Sequence, residues 1–120
     1  MKKKILIIDD ESSTLEMLAD FLGDEYELTM AEDLAAGTQH LLSEPFDALI
    51  LDFRLPGRSA YDEFQALLNS ERFAGLPLLM LSADRVAQER FVTRPHRAFL
   101  AKPVRPPVLK SMLRHLVTPD

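Results

Sequence analysis

The sequence predicts a single α/β domain in which a five-stranded parallel sheet is covered by helices on both faces. Short continuous apolar runs, such as residues 5–8 and 48–51, suit strands that are buried on both sides. These runs alternate with segments whose apolar residues follow helical spacing. Short connections with right-handed crossovers then produce a parallel sheet. The 120 residues suffice for one compact domain with a core.

Five strands and five helices are expected in alternation. Ser12 or Ser13 can cap the first helix and Asp33 the second, while Gly23 and Pro45 end them. The expected strands are residues 4–9, 26–30, 46–51, 78–81 and 97–101. The expected helices are residues 12–22, 33–43, 60–69, 84–91 and 106–117, the fourth of them short and weak.

The composition excludes several classes of function. The chain has no cysteine, which rules out disulfides, thiolate catalysis and cysteine-based zinc sites. The initial lysines precede an apolar run that is too short for a signal peptide. No stretch approaches the roughly 20 apolar residues of a membrane helix. We therefore expect a cytoplasmic domain that does not contact a membrane.

The net charge of −5 conceals an asymmetry along the chain. Residues 1–83 carry 16 acids and 6 bases, a net charge of −10, whereas residues 84–120 carry 3 acids and 8 bases, a net charge of +5. A basic C-terminal third suggests a face for an acidic protein partner or for a second copy of the domain. A solvated surface without a partner explains the same charges equally well.

Polar residues stand where four of the predicted strands end: Asp9-Asp10, Asp52, Ser82 and Lys102. Ligands of open parallel sheets bind beyond the carboxyl ends of the strands. Carboxylates there can hold Mg²⁺, and one of them can act as a nucleophile that forms an aspartyl-phosphate. A hydroxyl and an ammonium group can pair with phosphoryl oxygens. Taken singly, each aspartate could be a helix cap and the lysine a surface residue.

The same positions resemble the receiver domain of bacterial two-component response regulators along essentially the whole chain, residues 1–120. The resemblance rests on the acidic pair in IDDE (8–11), the aspartate in LDFRLP (51–56), the hydroxyl in LSA (81–83) and the lysine in KP (102–103). Each motif alone is weak, but all four in order, each at the end of an apolar strand, are specific. The resemblance implies a flavodoxin-like strand order, 2-1-3-4-5.

The resemblance also implies a Mg²⁺ site and a phosphoacceptor. Asp52 would accept the phosphoryl group. Asp9, Asp10, Asp52 and the backbone carbonyl of Arg54 would hold Mg²⁺, and Lys102 would pair with the phosphoryl group.

A conformational switch follows from the same resemblance. Ser82 would move toward the phosphoryl group, and Phe99 would turn inward as Ser82 shifts. The Lys102–Pro103 bond would be cis. The change would reach the surface of the fourth helix, the fifth strand and the fifth helix.

The function implied is that of a phosphorylation switch supplied by a histidine kinase or a histidine phosphotransfer protein. Such a domain phosphorylates and dephosphorylates itself and is not a conventional turnover enzyme. It has no nucleic-acid-binding role of its own, and it occurs alone or within a longer regulator or hybrid kinase. An interaction module that does not depend on phosphorylation is the alternative. A phosphohydrolase is disfavoured because the sequence offers neither a substrate pocket nor a separate general acid.

The sequence departs from the family pattern at several positions. Ala60 stands where a glycine is usual, and the segment before the fifth strand has TRPH (93–96) in place of a glycine. Arg54 and Asp84 flank the site with opposing expected effects on phosphoryl lifetime. We expect the arginines at 90, 94 and 97 to form the face for an acidic partner.

Overall fold

The computed structural model describes the backbone of residues 2–52, 58–82 and 97–117, with the side chains of α3 described from residue 63 onward. It contains a sheet of five parallel strands in the order β2-β1-β3-β4-β5, which confirms the predicted fold. The strands are β1 (Lys3–Ile8), β2 (Tyr26–Ala31), β3 (Ala48–Asp52), β4 (Leu78–Ser82) and β5 (Arg97–Ala101).

Four helices accompany the sheet in the described part of the chain: α1 (Ser12–Leu22), α2 (Leu34–Ser43), α3 (Arg58–Leu68) and α4 (Pro106–Val117). The short helix predicted at residues 84–91 lies outside the described residues. The third helix begins at Arg58, two residues earlier than predicted. No helix among the described residues is both long and apolar enough to cross a membrane.

The two layers of helices cover opposite faces of the sheet because residues of each strand alternate between the faces. On one face, α1 and α4 pack against side chains that include Ile5, Ile7 and Ile50. On the other face, α2 and α3 pack against Leu6, Ile8 and Leu49. The central strands β3 and β4 are therefore buried at every position and are apolar up to their last residues, Asp52 and Ser82, as the uninterrupted runs predicted.

The helix caps match the prediction at α2 but not at α1. The Asp33 carboxylate accepts a hydrogen bond from the backbone N–H of Ala36 at 2.7 Å. At α1 the N-cap position belongs to Glu11, and Ser12 is already the first helical residue, so the prediction of a serine cap is wrong. The Asp9 carboxylate instead accepts from the Glu11 N–H at 2.9 Å, which fixes the chain immediately before α1.

Gly37 allows α2 to lie directly on β1. A Cβ atom at this position would come within 2.2 Å of Ile8 Cδ1 and 2.9 Å of Ile8 Cγ1. Because Ile8 is fully buried, its side chain has little room to move aside. This contact sets the position of the last residue of β1, and Asp9 follows at once.

Candidate functional site

The carboxyl ends of four strands bring the predicted polar residues to one edge of the sheet. Asp9 follows β1, Asp52 is the last residue of β3, Ser82 is the last residue of β4, and Lys102 follows β5. The side chains of Asp9, Asp52 and Ser82 are buried. Their proximity follows from the parallel register, in which residue 8 pairs with 51, 52 with 81, and 82 with 101.

Three carboxylates form a cluster suited to a hard cation. Oxygens of Asp9, Asp10 and Asp52 lie within 4.8 Å of one another. Asp10 is exposed whereas the other two are buried, so the cluster opens to solvent on one side. A set of carboxylate oxygens with an open side is the donor set that Mg²⁺ prefers. The remaining predicted ligand, the backbone carbonyl of Arg54, lies outside the described residues.

Lys102 is anchored at the site through both its side chain and its backbone. Its Nζ donates to Asp52 Oδ2 at 2.7 Å, and its backbone N–H donates to the Ser82 carbonyl at 2.9 Å. The lysine side chain is 18% exposed and the aspartate side chain 0%. A surface lysine would be far more exposed, so that alternative is wrong. The Lys102–Pro103 peptide bond is cis.

Asp9 lies in an environment that opposes its negative charge. Burial and the neighbouring negative charge of Asp52 raise the pKa of Asp9 to about 7, while Lys102 pulls it downward. Asp9 Oδ1 accepts from Glu11, but Oδ2 is buried with no hydrogen-bond partner among the described residues. A proton on Oδ2 could be donated to Asp52, and a bound cation would satisfy the same oxygen. The buried Oδ2 atom therefore requires either a proton or a bound cation, in addition to the nearby charge of Lys102.

Ser82 and Phe99 lie on two neighbouring strands. Met80, two residues before Ser82 on β4, is paired with Phe99 on β5. Because residues two apart on a strand share a face, Ser82 and Phe99 lie on the same side of the sheet. Phe99 is half-buried and packs against the apolar cluster under α2 and α3.

The structure corrects the interpretation of Arg97. Its side chain is buried, and its guanidinium donates to the carbonyl of Leu68 and to Asn69 Oδ1 at 2.9 Å each. Arg97 therefore cannot belong to an exposed basic face. The other two arginines assigned to that face, at 90 and 94, lie outside the described residues.

Sequence reasoning missed the role of Arg97 although one signal was present. Arg97 lies two positions before Phe99, so the alternation of β5 places both residues toward α3. A second basic residue, Arg114 of α4, is also engaged within the domain, because it forms an ion pair with Glu25. Part of the C-terminal positive charge thus stabilises the fold itself.

Fold and site together define a class of protein. They belong to a doubly wound parallel α/β domain that gathers three carboxylates, a lysine and a serine at the carboxyl ends of its strands, where the strand order reverses. The sequence matches the family of response regulator receiver domains over residues 5–114. The chain therefore belongs to this family, as a receiver domain of the two-component response regulator type.

Curated relatives agree with this assignment. The chain is 35% identical over 83 residues to the chemotaxis protein CheY of Pseudomonas aeruginosa, covering 68% of this chain and 67% of that protein. It is 31% identical over 121 residues to the two-component response regulator ARR14 of Arabidopsis thaliana, covering 95% of this chain. The matched region is only 31% of ARR14 and 12% of the sensor histidine kinase TmoS of Ectopseudomonas mendocina.

Solved structures show the same fold. The chemotaxis response regulator CheY4 of Vibrio cholerae superposes with a TM-score of 0.81 at 24% identity, covering 97% of this chain and 99% of that one. A sensor protein from Polaromonas sp. gives a TM-score of 0.84 at 22% identity, covering 98% and 97% of the two chains. These likenesses establish the architecture independently of sequence similarity.

Proposed function

We propose that this domain is a phosphoacceptor switch in which Asp52 receives a phosphoryl group from a phosphohistidine. The observation that carries the proposal is the 2.7 Å contact between Lys102 Nζ and Asp52 Oδ2 beside the carboxylate cluster. The donor would be a histidine kinase or a histidine phosphotransfer protein. The match to part of a sensor histidine kinase supports a partner of that kind.

In the transfer step, an oxygen of Asp52 attacks phosphorus, the P–N bond to the histidine breaks, and the imidazole departs with the bonding electron pair. Lys102 keeps the carboxylate oriented before the reaction and pairs with the phosphoryl oxygens after it. Hydrolysis reverses the change, because water attacks phosphorus and restores the Asp52 carboxylate with release of inorganic phosphate.

Magnesium fits the cluster because Asp9 Oδ2 is a buried oxygen that lacks a hydrogen-bond partner among the described residues. Asp9, Asp10 and Asp52, with the backbone carbonyl of Arg54, would hold the ion. When bound, Mg²⁺ supplies neutralising charge for the phosphoryl oxygens and the carboxylates. Asp9 then stays ionised at neutral pH, since the ion replaces its proton.

The switch would be read through Ser82 and Phe99. A phosphoryl group on Asp52 offers acceptor oxygens to the Ser82 hydroxyl, which lies at the end of the adjacent strand. Movement of Ser82 frees space on the face that it shares with Phe99, and the aromatic ring turns inward. The outer surface of β5 and of α4, which is the fifth helix of the sequence prediction, would change in consequence. The changed surface would bind a partner or a second copy of the domain.

The test is to incubate the domain with Mg²⁺ and acetyl phosphate and to measure its intact mass. We expect a species heavier by one phosphoryl group, which is absent in Asp52→Asn and when Mg²⁺ is chelated. Asp20→Asn, which changes an exposed aspartate of α1, is the matched control and should behave as the wild type. Absence of any phosphorylated wild-type protein would reject the proposal in favour of an interaction module that does not use phosphate.

A further inference from the structure

A buried arginine lies at the end of the sheet opposite the carboxylate cluster. Among the described residues, the buried polar side chains are Asp9, Asp52, Ser82 and Arg97. The first three belong to the candidate site. Arg97 is the first residue of β5, so it lies at the amino end of the strand whose carboxyl end leads to Lys102. The phosphoacceptor mechanism itself gives this cation no role.

Arg97 joins β5 to the end of α3. One guanidinium nitrogen donates to the carbonyl of Leu68, the last residue of α3, and the other donates to Asn69 Oδ1. Carbonyls at the end of a helix lack intrahelical donors and lie at the negative end of the helix dipole. The Arg97 guanidinium both donates a hydrogen bond to such a carbonyl and places a positive charge at the negative end of the helix dipole. The result is a fixed crosslink between a helix and a strand.

This crosslink acts on a strand at an edge of the sheet. In the described sheet, β5 is one of the two edge strands and pairs on one side only, with β4. The register of an edge strand has fewer constraints than that of a central one, and a slip by one residue reverses every side chain. The pairing begins with Arg97 opposite Leu78 and ends with the Lys102 N–H on the Ser82 carbonyl.

We propose that Arg97 is a positioning residue for phosphoryl transfer, holding the register of β5 so that Lys102 reaches Asp52. This inference rests on the proposed phosphoacceptor function. Phe99 lies between the two ends of β5 on the same face as Arg97, so the crosslink also fixes the packing of the switch residue. The proposed cation ligands Asp9 and Asp10 follow β1 and Asp52 ends β3, so none of them lies on β5 or α3, which the crosslink joins.

The first measurement does not require phosphorylation. Amide hydrogen exchange followed by NMR should show faster exchange of the Lys102 N–H in Arg97→Met than in the wild type, because the end of β5 becomes less tightly held. The Asp9 N–H, which donates to the Ala31 carbonyl at 3.0 Å, is the internal reference and should be unchanged. Arg72→Met is the matched control, since Arg72 is exposed and contacts only the Leu42 carbonyl at 3.4 Å and the Phe73 ring among the described residues.

The second measurement separates positioning from general damage. With acetyl phosphate, Arg97→Met should be phosphorylated about tenfold more slowly at saturating Mg²⁺, while its Mg²⁺ dissociation constant, measured by calorimetry, should not rise above that of the wild type, because a displaced Lys102 no longer competes for the carboxylates and only general damage would weaken the ion site. Arg97→Lys, which retains a donor for Leu68, should recover part of the rate. In a Lys102→Ala background, Arg97→Met should cause no further loss, because the lysine to be positioned is missing.

Several results would overturn the inference. They are unchanged Lys102 exchange in Arg97→Met, a phosphorylation rate equal to that of Arg72→Met, or an additive loss in the Lys102→Ala background. If Arg97→Met does not fold, Arg97→Lys and Asn69→Ala serve in its place, and wild-type exchange and rates in both would equally reject it. A wild-type protein that is never phosphorylated would instead reject the proposed function, while the exchange measurement would still decide whether Arg97 holds β5.

Discussion

Lys102 and Asp52 form a 2.7 Å ion pair in which the aspartate side chain is fully buried and the lysine side chain is partly buried. Lys102 is the cation that the described part of the site provides for its three clustered carboxylates. If the cluster binds Mg²⁺ as proposed, the pair links two properties of the domain, the stability of the metal-free protein and its affinity for that ion. These two properties should respond in opposite directions when the lysine is removed.

Lys102→Met should lower the free energy of unfolding without Mg²⁺ by about 1–3 kcal/mol, because a buried carboxylate loses its charged donor. The same variant should bind Mg²⁺ about 3- to 10-fold more tightly, since the lysine no longer competes for the negative charge. Urea unfolding and calorimetric titration measure the two effects. Lys3→Met, at the exposed start of β1, is the control. Weaker Mg²⁺ binding in Lys102→Met would show that the lysine supports the ion site and does not compete with it.

Asp9 should make the metal-free domain less stable as the pH rises. Burial and the charge of Asp52 raise its pKa from 3.8 to about 7 in the folded protein. Between these values the folded state holds more protons than the unfolded state, so the free energy of unfolding falls as pH increases through this range. The loss is at most about 4 kcal/mol and is complete by about pH 8.

Asp9→Asn isolates that contribution because it removes the titrating group and keeps the oxygen that accepts from Glu11. We expect Asp9→Asn to unfold with the wild-type free energy near pH 4 and to be more stable by about 1–3 kcal/mol at pH 8 without Mg²⁺. Saturating Mg²⁺ should stabilise the wild type but not the variant. A constant difference between the two proteins from pH 4 to 8 would contradict the raised pKa of Asp9.

The contact between Gly37 and Ile8 gives a prediction about packing beneath the site. Gly37→Ala should lower the free energy of unfolding by about 1–2 kcal/mol, because the new methyl group overlaps Ile8 and this outweighs the better helix propensity of alanine. Ile8→Val removes the Cδ1 atom, which would lie 2.2 Å from the alanine methyl group. The double variant should therefore lose less stability than the sum of the single variants, as a double-mutant cycle by urea unfolding would measure. Strict additivity would mean that α2 shifts away as a whole.

The sequence predicted which residues gather at the candidate site, but it did not predict the side-chain contacts that hold the surrounding strands and helices in place. Asp52, Ser82 and Lys102 could be placed together because each ends an apolar strand, and parallel strands bring their carboxyl ends to one edge. Arg97 could not be placed in the same way. The alternation of β5 indicates which face of the sheet Arg97 shares with Phe99, but it does not identify the acceptors of the guanidinium, because Leu68 and Asn69 are far away in sequence. Its chemistry depends on tertiary contact alone.

The N-cap residue of a helix is also difficult to predict from the sequence alone. Ser12, Ser13 and Asp33 all have side chains that suit an N-cap, and the residue type does not decide which one caps a helix. At α1 the Asp9 carboxylate already accepts from the Glu11 N–H, and the helix begins one residue after Glu11. The residue that holds the start of α1 therefore belongs to the site and not to the serine pair. The Asp9 carboxyl group therefore has two roles: it belongs to the carboxylate cluster, and it accepts the hydrogen bond from Glu11 just before α1.

The two helix starts can be compared by a matched pair of alanine substitutions. Asp33→Ala should lower the free energy of unfolding by about 1 kcal/mol, because it removes the acceptor of the Ala36 N–H at the start of α2. Ser12→Ala should change it by less than about 0.5 kcal/mol, since Ser12 is exposed and lies in the first turn of α1 without a capping role. Urea unfolding at pH 7 measures both. An equal loss of stability in Ser12→Ala would mean that Ser12 caps α1, and it would contradict the assignment of that role to the Asp9 carboxylate.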